Sequence, residues 1–160
     1  MSHPSLGLPP RDLRAGHPAD AAALRAARRA TAARALNAAV SGDPTFRTRY
    51  SDLALRELLA DVEAMVDQLA VAVAAGDPGV LRTWADGVSP RYRKRSVPLD
   101  DLIRLADTLR AASAATVAPS AMAAVGAALD AAIVVFRWHR RLAGDARKRN
   151  PVIAFIYKGA

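Results

Sequence analysis

Between Leu55 and Val73 the large apolar residues fall at three- and four-residue steps: Leu55, Leu58, Leu59, Val62, Met65, Val66, Leu69 and Val73. That spacing puts them on one stripe of an α-helix, whereas a strand, with its period of two, would scatter them over both faces. The outer face is acidic, with Asp52, Glu57, Asp61, Glu63 and Asp67. A stripe this full needs other helices to cover it, so the chain is constrained toward helix-on-helix packing.

The remaining segments supply those helices. Gly76-Asp77-Pro78-Gly79 ends the first pattern and starts another, with Asp77 as N-cap and Pro78 in the first turn. Val80, Leu81, Trp84 and Val88 follow, and Ser89-Pro90 predicts a break before a short helical piece through Tyr92. After Val97-Pro98, a fourth helix is marked by Leu99, Leu102, Ile103, Leu105, Ala106 and Leu109, with Asp100 and Asp101 at its electropositive start. Pro119 opens a fifth, whose buried stripe is Met122, Val125, Leu129, Ala132, Ile133 and Phe136. Gly126 predicts close approach of a neighbouring helix. Gly144 reads as the residue after the helix end, with residues 145–150 a charged link.

The first 17 residues, with Pro4, Gly7, Pro9, Pro10 and Gly16, read as a flexible tail. Residues 18–42 read as a basic helical arm with a thin stripe of Leu24, Leu36 and Val40 among alanines, which predicts weak docking. Residues 43–160 form the bundle domain and end in a short apolar element, Val152, Ile153, Phe155, Ile156 and Tyr157. No segment alternates as a strand between hairpin turns. The predicted fold is all-α: a helical bundle of about four to five helices, globin-like in one version, with an N-terminal helical arm.

Several chemistries are excluded or disfavoured by residue type. The chain has no cysteine, which removes disulfides, thiol catalysis and Cys-ligated metals. Glu57 and Glu63 are the only glutamates, and neither precedes a histidine at the spacing a di-iron bundle uses, so no metal site is expected. There is no glycine-rich phosphate loop, no dinucleotide fingerprint and no nucleophile elbow. No catalytic residue and no bound cofactor is expected. No run approaches the ~20 apolar residues of a membrane span, and residues 1–10 lack a signal-peptide pattern. A cytoplasmic location is expected.

Three sets of residues stand out. Trp84, Phe136 and His139 are pocket candidates, with His139 in a haem-ligand reading. Arg25, Arg28 and Arg29, together with Arg137, Arg140, Arg141, Arg147, Lys148 and Arg149, are nucleic-acid-binding candidates. They belong to a strongly basic chain: 23 Lys plus Arg against 15 Asp plus Glu gives +8. The excess also suits a GC-rich genome, and cations at a helix C-terminus are favourable without any ligand. The apolar element from Val152 to Tyr157 is a partner-binding candidate, or folds back on the bundle; a membrane surface is not the expected partner.

The run Leu81-Arg82-Thr83-Trp84, then Tyr92 with Arg93 to Arg95, then Val97-Pro98-Leu99-Asp100-Asp101-Leu102-Ile103, resembles a segment of bacterial helical sensor domains. These are the N-terminal domains of stressosome co-antagonists (RsbR/RsbRD-like) and similar domains ahead of PucR-type regulators. The similarity spans Leu53 to Leu142 and lies in the order of helix starts. It implies a haemless globin-like bundle that dimerises and passes a signal to an output domain. The sequence through Ala160 holds no such domain, so the expectation from the resemblance is action through a separate protein. The expected function is a non-enzymatic sensor or adaptor, a homodimer with a further protein partner.

Overall fold

The computed structural model describes residues 15–149, with side chains through residue 142. Among the described residues every regular element is helical: α1 (Pro18–Ala26), α2 (Arg28–Gly42), the single turn α3 (Phe46–Arg49), α4 (Asp52–Ala75), α5 (Gly79–Lys94), α6 (Leu99–Ser113) and α7 (Met122–Arg149), the last entered through a 3-10 turn at Pro119–Ala121. The stripe of α4 is buried as its spacing demands, with Leu58, Val62, Met65, Val66, Leu69 and Val73 in the core. Ser51 caps its start, its hydroxyl accepting from the Ala54 N–H at 3.3 Å, and Gly76 ends it in the left-handed region at φ 63°.

Cross-helix polar contacts fix the direction of each rod. His17 donates its backbone N–H to Val73 O at 2.9 Å and Arg28 reaches Asp67 at 3.1 Å, so α1–α2 runs antiparallel to α4. Arg95, just past α5, bonds Asp61 (2.8 Å) and Glu57 (3.0 Å) near the start of α4, so α5 also opposes α4. Arg49 and Tyr50 meet Asp101, which places the start of α6 beside the start of α4. Arg110 pairs with Asp130 and Arg140 with Asp100, so α7 opposes α6 and therefore runs in the same direction as α5. Five antiparallel-connected rods result: α1–α2, α4, α5, α6 and α7.

Several expectations change. The helix over 18–42 is not weakly docked: it breaks at Ala27, and Ala21, Leu24, Ala32, Ala35, Leu36 and Ala39 are buried against α4 and α6. Alanine's small volume, which made the stripe look thin, lets these backbones approach closely. Residues 15–17 belong to this packing rather than to a flexible tail, since a Cβ on Gly16 would lie 2.1 Å from Ala74 O. The break expected at Ser89-Pro90 is absent. Pro90 sits inside a continuous α5 with its ring on the exposed side, and the one missing N–H falls opposite the Asp86 carbonyl. The end expected at Gly144 is also absent, because α7 runs on to Arg149; a helical glycine costs about 1 kcal/mol against alanine, and good helix formers follow it.

Gly126 has a different neighbour from the one expected. The nearest atom to a Cβ built there is the Arg110 guanidinium at 3.4 Å, so a side chain rather than a helix backbone lies over it. The segment Pro119–Leu142 is 24 residues long and contains an 18-residue window with a mean hydropathy of 1.8, long and apolar enough by length and composition to cross a membrane. This corrects the expectation that no run approaches that length: the alanines of the segment are apolar enough to carry the average across Asp130. In the fold it supplies core: Val125, Leu129, Ala132, Ile133 and Phe136 are buried.

Candidate functional site

The polar groups that first suggest chemistry are committed to holding the bundle together. At the base of α4 and α6, Asp101 is 4% exposed. It accepts from Arg49 Nη2 at 2.9 Å and from the Tyr50 hydroxyl at 2.6 Å. Arg49 also pairs with Asp43 at 3.1 Å and lies over the Phe46 ring. Bonds from the Thr45 hydroxyl and from Arg49 hold the Asp43 carboxyl down at about 2. Burial, followed by the bond to Asp101, pushes the Tyr50 phenol well above its ordinary value. A cavity of about 330 Å³ opens here, lined by Arg49, Tyr50, Glu57, Leu58, Arg95 and Val97. Its two arginines are already paired, Arg95 with Asp61 and Glu57.

Trp84, Phe136 and His139 do not form one pocket. Trp84 is half-buried beside an open depression of about 530 Å³ with Gln68, Asp77, Gly79, Val80 and Thr83. Phe136 is fully enclosed in the core. His139 is 8% exposed, its Nε2 is 2.7 Å from Asp86 Oδ1 on α5, and its buried Nδ1 has no partner. With one ring nitrogen bonded to a carboxylate and the other enclosed, His139 presents no free nitrogen to a haem iron in this arrangement.

The basic candidates separate into paired and free groups. Arg28 is bound to Asp67 and Glu63, and Arg140 to Asp100. Arg34 donates to Thr31, Thr116 and the Ala112 carbonyl. The acidic face of α4 is neutralised in the same way, by Arg28 and Arg95 of the same chain. Arg25, Arg29, Arg137 and Arg141 are exposed and have no ion pair among the described residues, as do Arg82, Arg91, Arg93 and Lys94. The side chains of Arg147, Lys148 and Arg149 and the element Val152, Ile153, Phe155, Ile156 and Tyr157 lie outside the described residues.

Exposed large apolar side chains concentrate on α7. Val134 (59% exposed), Trp138 (49%) and Leu142 (43%) follow one another at four-residue steps. At 100° per residue they form a stripe on the solvent side, opposite Val125, Leu129, Ala132 and Phe136. His139 turns the neighbouring face of α7 toward α5, and its ring sits edge-on to Trp138 with centroids 4.8 Å apart. Arg137 and Arg141 lie on the other side of the stripe, toward the Asp130 and Arg140 positions that meet α6. On α5, Arg82 and Arg93 share the side of Asp86, one turn before it and two turns after it. The apolar stripe is therefore bordered on one edge by Arg137 and Arg141, which have no ion pair among the described residues, and on the other by Arg82 and the Asp86 carboxylate.

Val134, Leu142 and Asp86 were not among the candidates read from the sequence. Their signal was present: the 134-138-142 spacing runs out of phase with the core stripe, so α7 has two apolar faces rather than one. Comparison of the chain with protein-family models, with curated proteins and with solved structures returns no match.

Proposed function

We propose that this chain is a non-enzymatic helical adaptor that works by presenting the outer face of α7 to another protein. The observation that carries the reading is the stripe Val134, Trp138 and Leu142, left in water on a helix whose opposite face is core. Large apolar side chains gathered on one surface of a packed domain mark contact sites, while scattered ones do not. The likeness of Leu53–Leu142 to helical sensor domains of signalling proteins supports the same reading. The test compares proteins co-isolated with the wild-type chain and with Trp138→Asp. Trp138 is half in solvent, so the fold is retained and checked by circular dichroism. The adaptor reading expects a defined set of partners to be lost with the variant. Identical sets would contradict it.

A second reading rests on a different observation. Arg91, Arg93 and Lys94 crowd the last turn of α5 without ion pairs among the described residues, at the end of the bundle that also carries Arg137 and Arg141. Such a cluster suits a polyanion such as nucleic acid, with binding that weakens steeply as salt rises. Retention of DNA or RNA at low salt that is lost in Arg91→Glu/Lys94→Glu supports it. No retention at low salt removes it.

A further inference from the structure

We infer that the occupant of the α7 face is an acidic amphipathic helix of a partner protein, seated along Val134, Trp138 and Leu142 with its carboxylates against the arginines on either edge. The inference rests on the adaptor reading and specifies the chemistry of the partner.

The stripe sets the shape. Val134 to Leu142 spans eight residues, roughly 12 Å of helix axis at 1.5 Å per residue. A second helix laid along it with apolar residues at i, i+3 or i+4 and i+7 covers that length with one face. Trp138 is the natural anchor. It is half exposed, and its ring is braced by the edge of His139, which Asp86 in turn holds to α5. Large aromatic side chains held in place in this way carry a disproportionate share of binding energy.

The edges set the charge. Arg137 and Arg141 run along one side, and Arg82 lies on the other one turn before the Asp86 carboxylate that holds His139; all three arginines are exposed and without ion pairs among the described residues. Arg28, Arg49, Arg95, Arg110 and Arg140 elsewhere on the bundle each hold a carboxylate of this chain. Cations left unpaired beside an apolar stripe favour an incoming surface of opposite sign and speed its approach.

The same pattern argues against a second copy of the chain. Two stripes meeting face to face would bring arginines against arginines, which is repulsive. Most carboxylates on the described helix faces are already used internally, Glu57 and Asp61 by Arg95, Glu63 and Asp67 by Arg28, Asp100 by Arg140 and Asp130 by Arg110, and the two exposed ones without an ion pair, Asp52 on α4 and Asp107 on α6, stand singly rather than in a row that could match the arginines.

The test uses the full chain carrying Trp84→Phe, so that Trp138 is its one indole. It is titrated with a peptide of about 18 residues, long enough to fold when docked, with leucines on one face and glutamates on both flanks. The same peptide with lysines for glutamates and vesicles of anionic lipid are run in parallel, and light scattering follows self-association. The expected result is saturable binding of the glutamate peptide that shifts Trp138 emission to shorter wavelength and weakens with salt. Arg137→Glu/Arg141→Glu lowers that affinity by about tenfold or more and lets the lysine peptide bind, whereas Arg29→Glu changes nothing. Arg82→Glu weakens the glutamate peptide as well, which tests the second edge independently.

Equal binding of the two peptides, an emission shift with vesicles alone, or a dimer that excludes the peptide would each overturn the inference. If the glutamate peptide fails while co-isolated partners still depend on Trp138, the partner chemistry is wrong and the adaptor reading survives. If neither depends on Trp138, both fall.

Discussion

Replacing Asp101 by alanine removes the polar node that ties the start of α6 to the α3–α4 junction. The carboxylate is 4% exposed and accepts two bonds, from Arg49 Nη2 at 2.9 Å and from the Tyr50 hydroxyl at 2.6 Å. Bonds to a charged group contribute about 1.5–3 kcal/mol each, and a donor left buried without an acceptor adds to the loss. Arg49 retains Asp43 as a partner, which puts its share at the low end. Tyr50 is half-buried, and among the described residues no other carboxylate receives its hydroxyl. The expected cost of Asp101→Ala is therefore about 3 kcal/mol, a large part of the roughly 5–15 kcal/mol by which domains of this kind are stable. Tyr50→Phe removes the phenolic bond alone and costs about 1 kcal/mol. Because the two residues share one bond, the double variant costs less than the sum by about 1 kcal/mol. Urea unfolding at neutral pH, followed by far-ultraviolet circular dichroism, measures all three. An Asp101→Ala protein within about 0.5 kcal/mol of wild type, or strictly additive losses, would refute the argument.

Three further outcomes follow from the packing. Burial, with the bond to Asp101 for Tyr50 and the charge of Asp61 for Tyr92, raises both phenols above their ordinary 10.0. The unfolded chain ionises them first, so their contribution is intact below pH 10 and is lost as the pH climbs beyond it; melting temperatures should fall there and fall less in Tyr92→Phe, and ionisation of both phenols near 10 with the fold intact would contradict this. Gly16→Ala drives a Cβ into Ala74 O and displaces the His17 N–H from Val73 O, an expected loss of about 1–3 kcal/mol with faster amide exchange at His17. Phe136→Ala empties the middle of the core for about 3–5 kcal/mol, against no more than about 0.5 kcal/mol for exposed Arg29→Ala, both read from the same denaturation curves.

The fold class was legible because α4, α6 and the first half of α7 each carry a complete apolar stripe at helical spacing. The docking of α1–α2 was not, because its contact surface is built from Ala21, Ala32, Ala35 and Ala39, whose burial depends on what lies opposite. Pro90 and Gly144 looked like breaks because local rules assign them a cost. Packing of α5 on α7 and the helix formers after Gly144 outweigh that cost. The candidate site was half visible. Arg137, Arg140 and Arg141 stood out as a cationic group, but which of them lack an ion pair required knowing that Asp100 lies beside Arg140. Likewise, His139 on an apolar stripe is ambiguous by sequence, and only the Asp86 carboxylate 2.7 Å away gives it a structural role.

Quenching of Trp138 emission by iodide and by caesium in the Trp84→Phe chain tests most directly whether α7 presents an exposed apolar stripe in a cationic surrounding. An indole half in water, with Arg137 and Arg141 on one side and Arg82 on the other, should be quenched readily by both ions and distinctly more by iodide. Arg137→Glu/Arg141→Glu should narrow that preference. Weak quenching by both ions, as for an enclosed indole, or equal quenching by the two, would contradict the account.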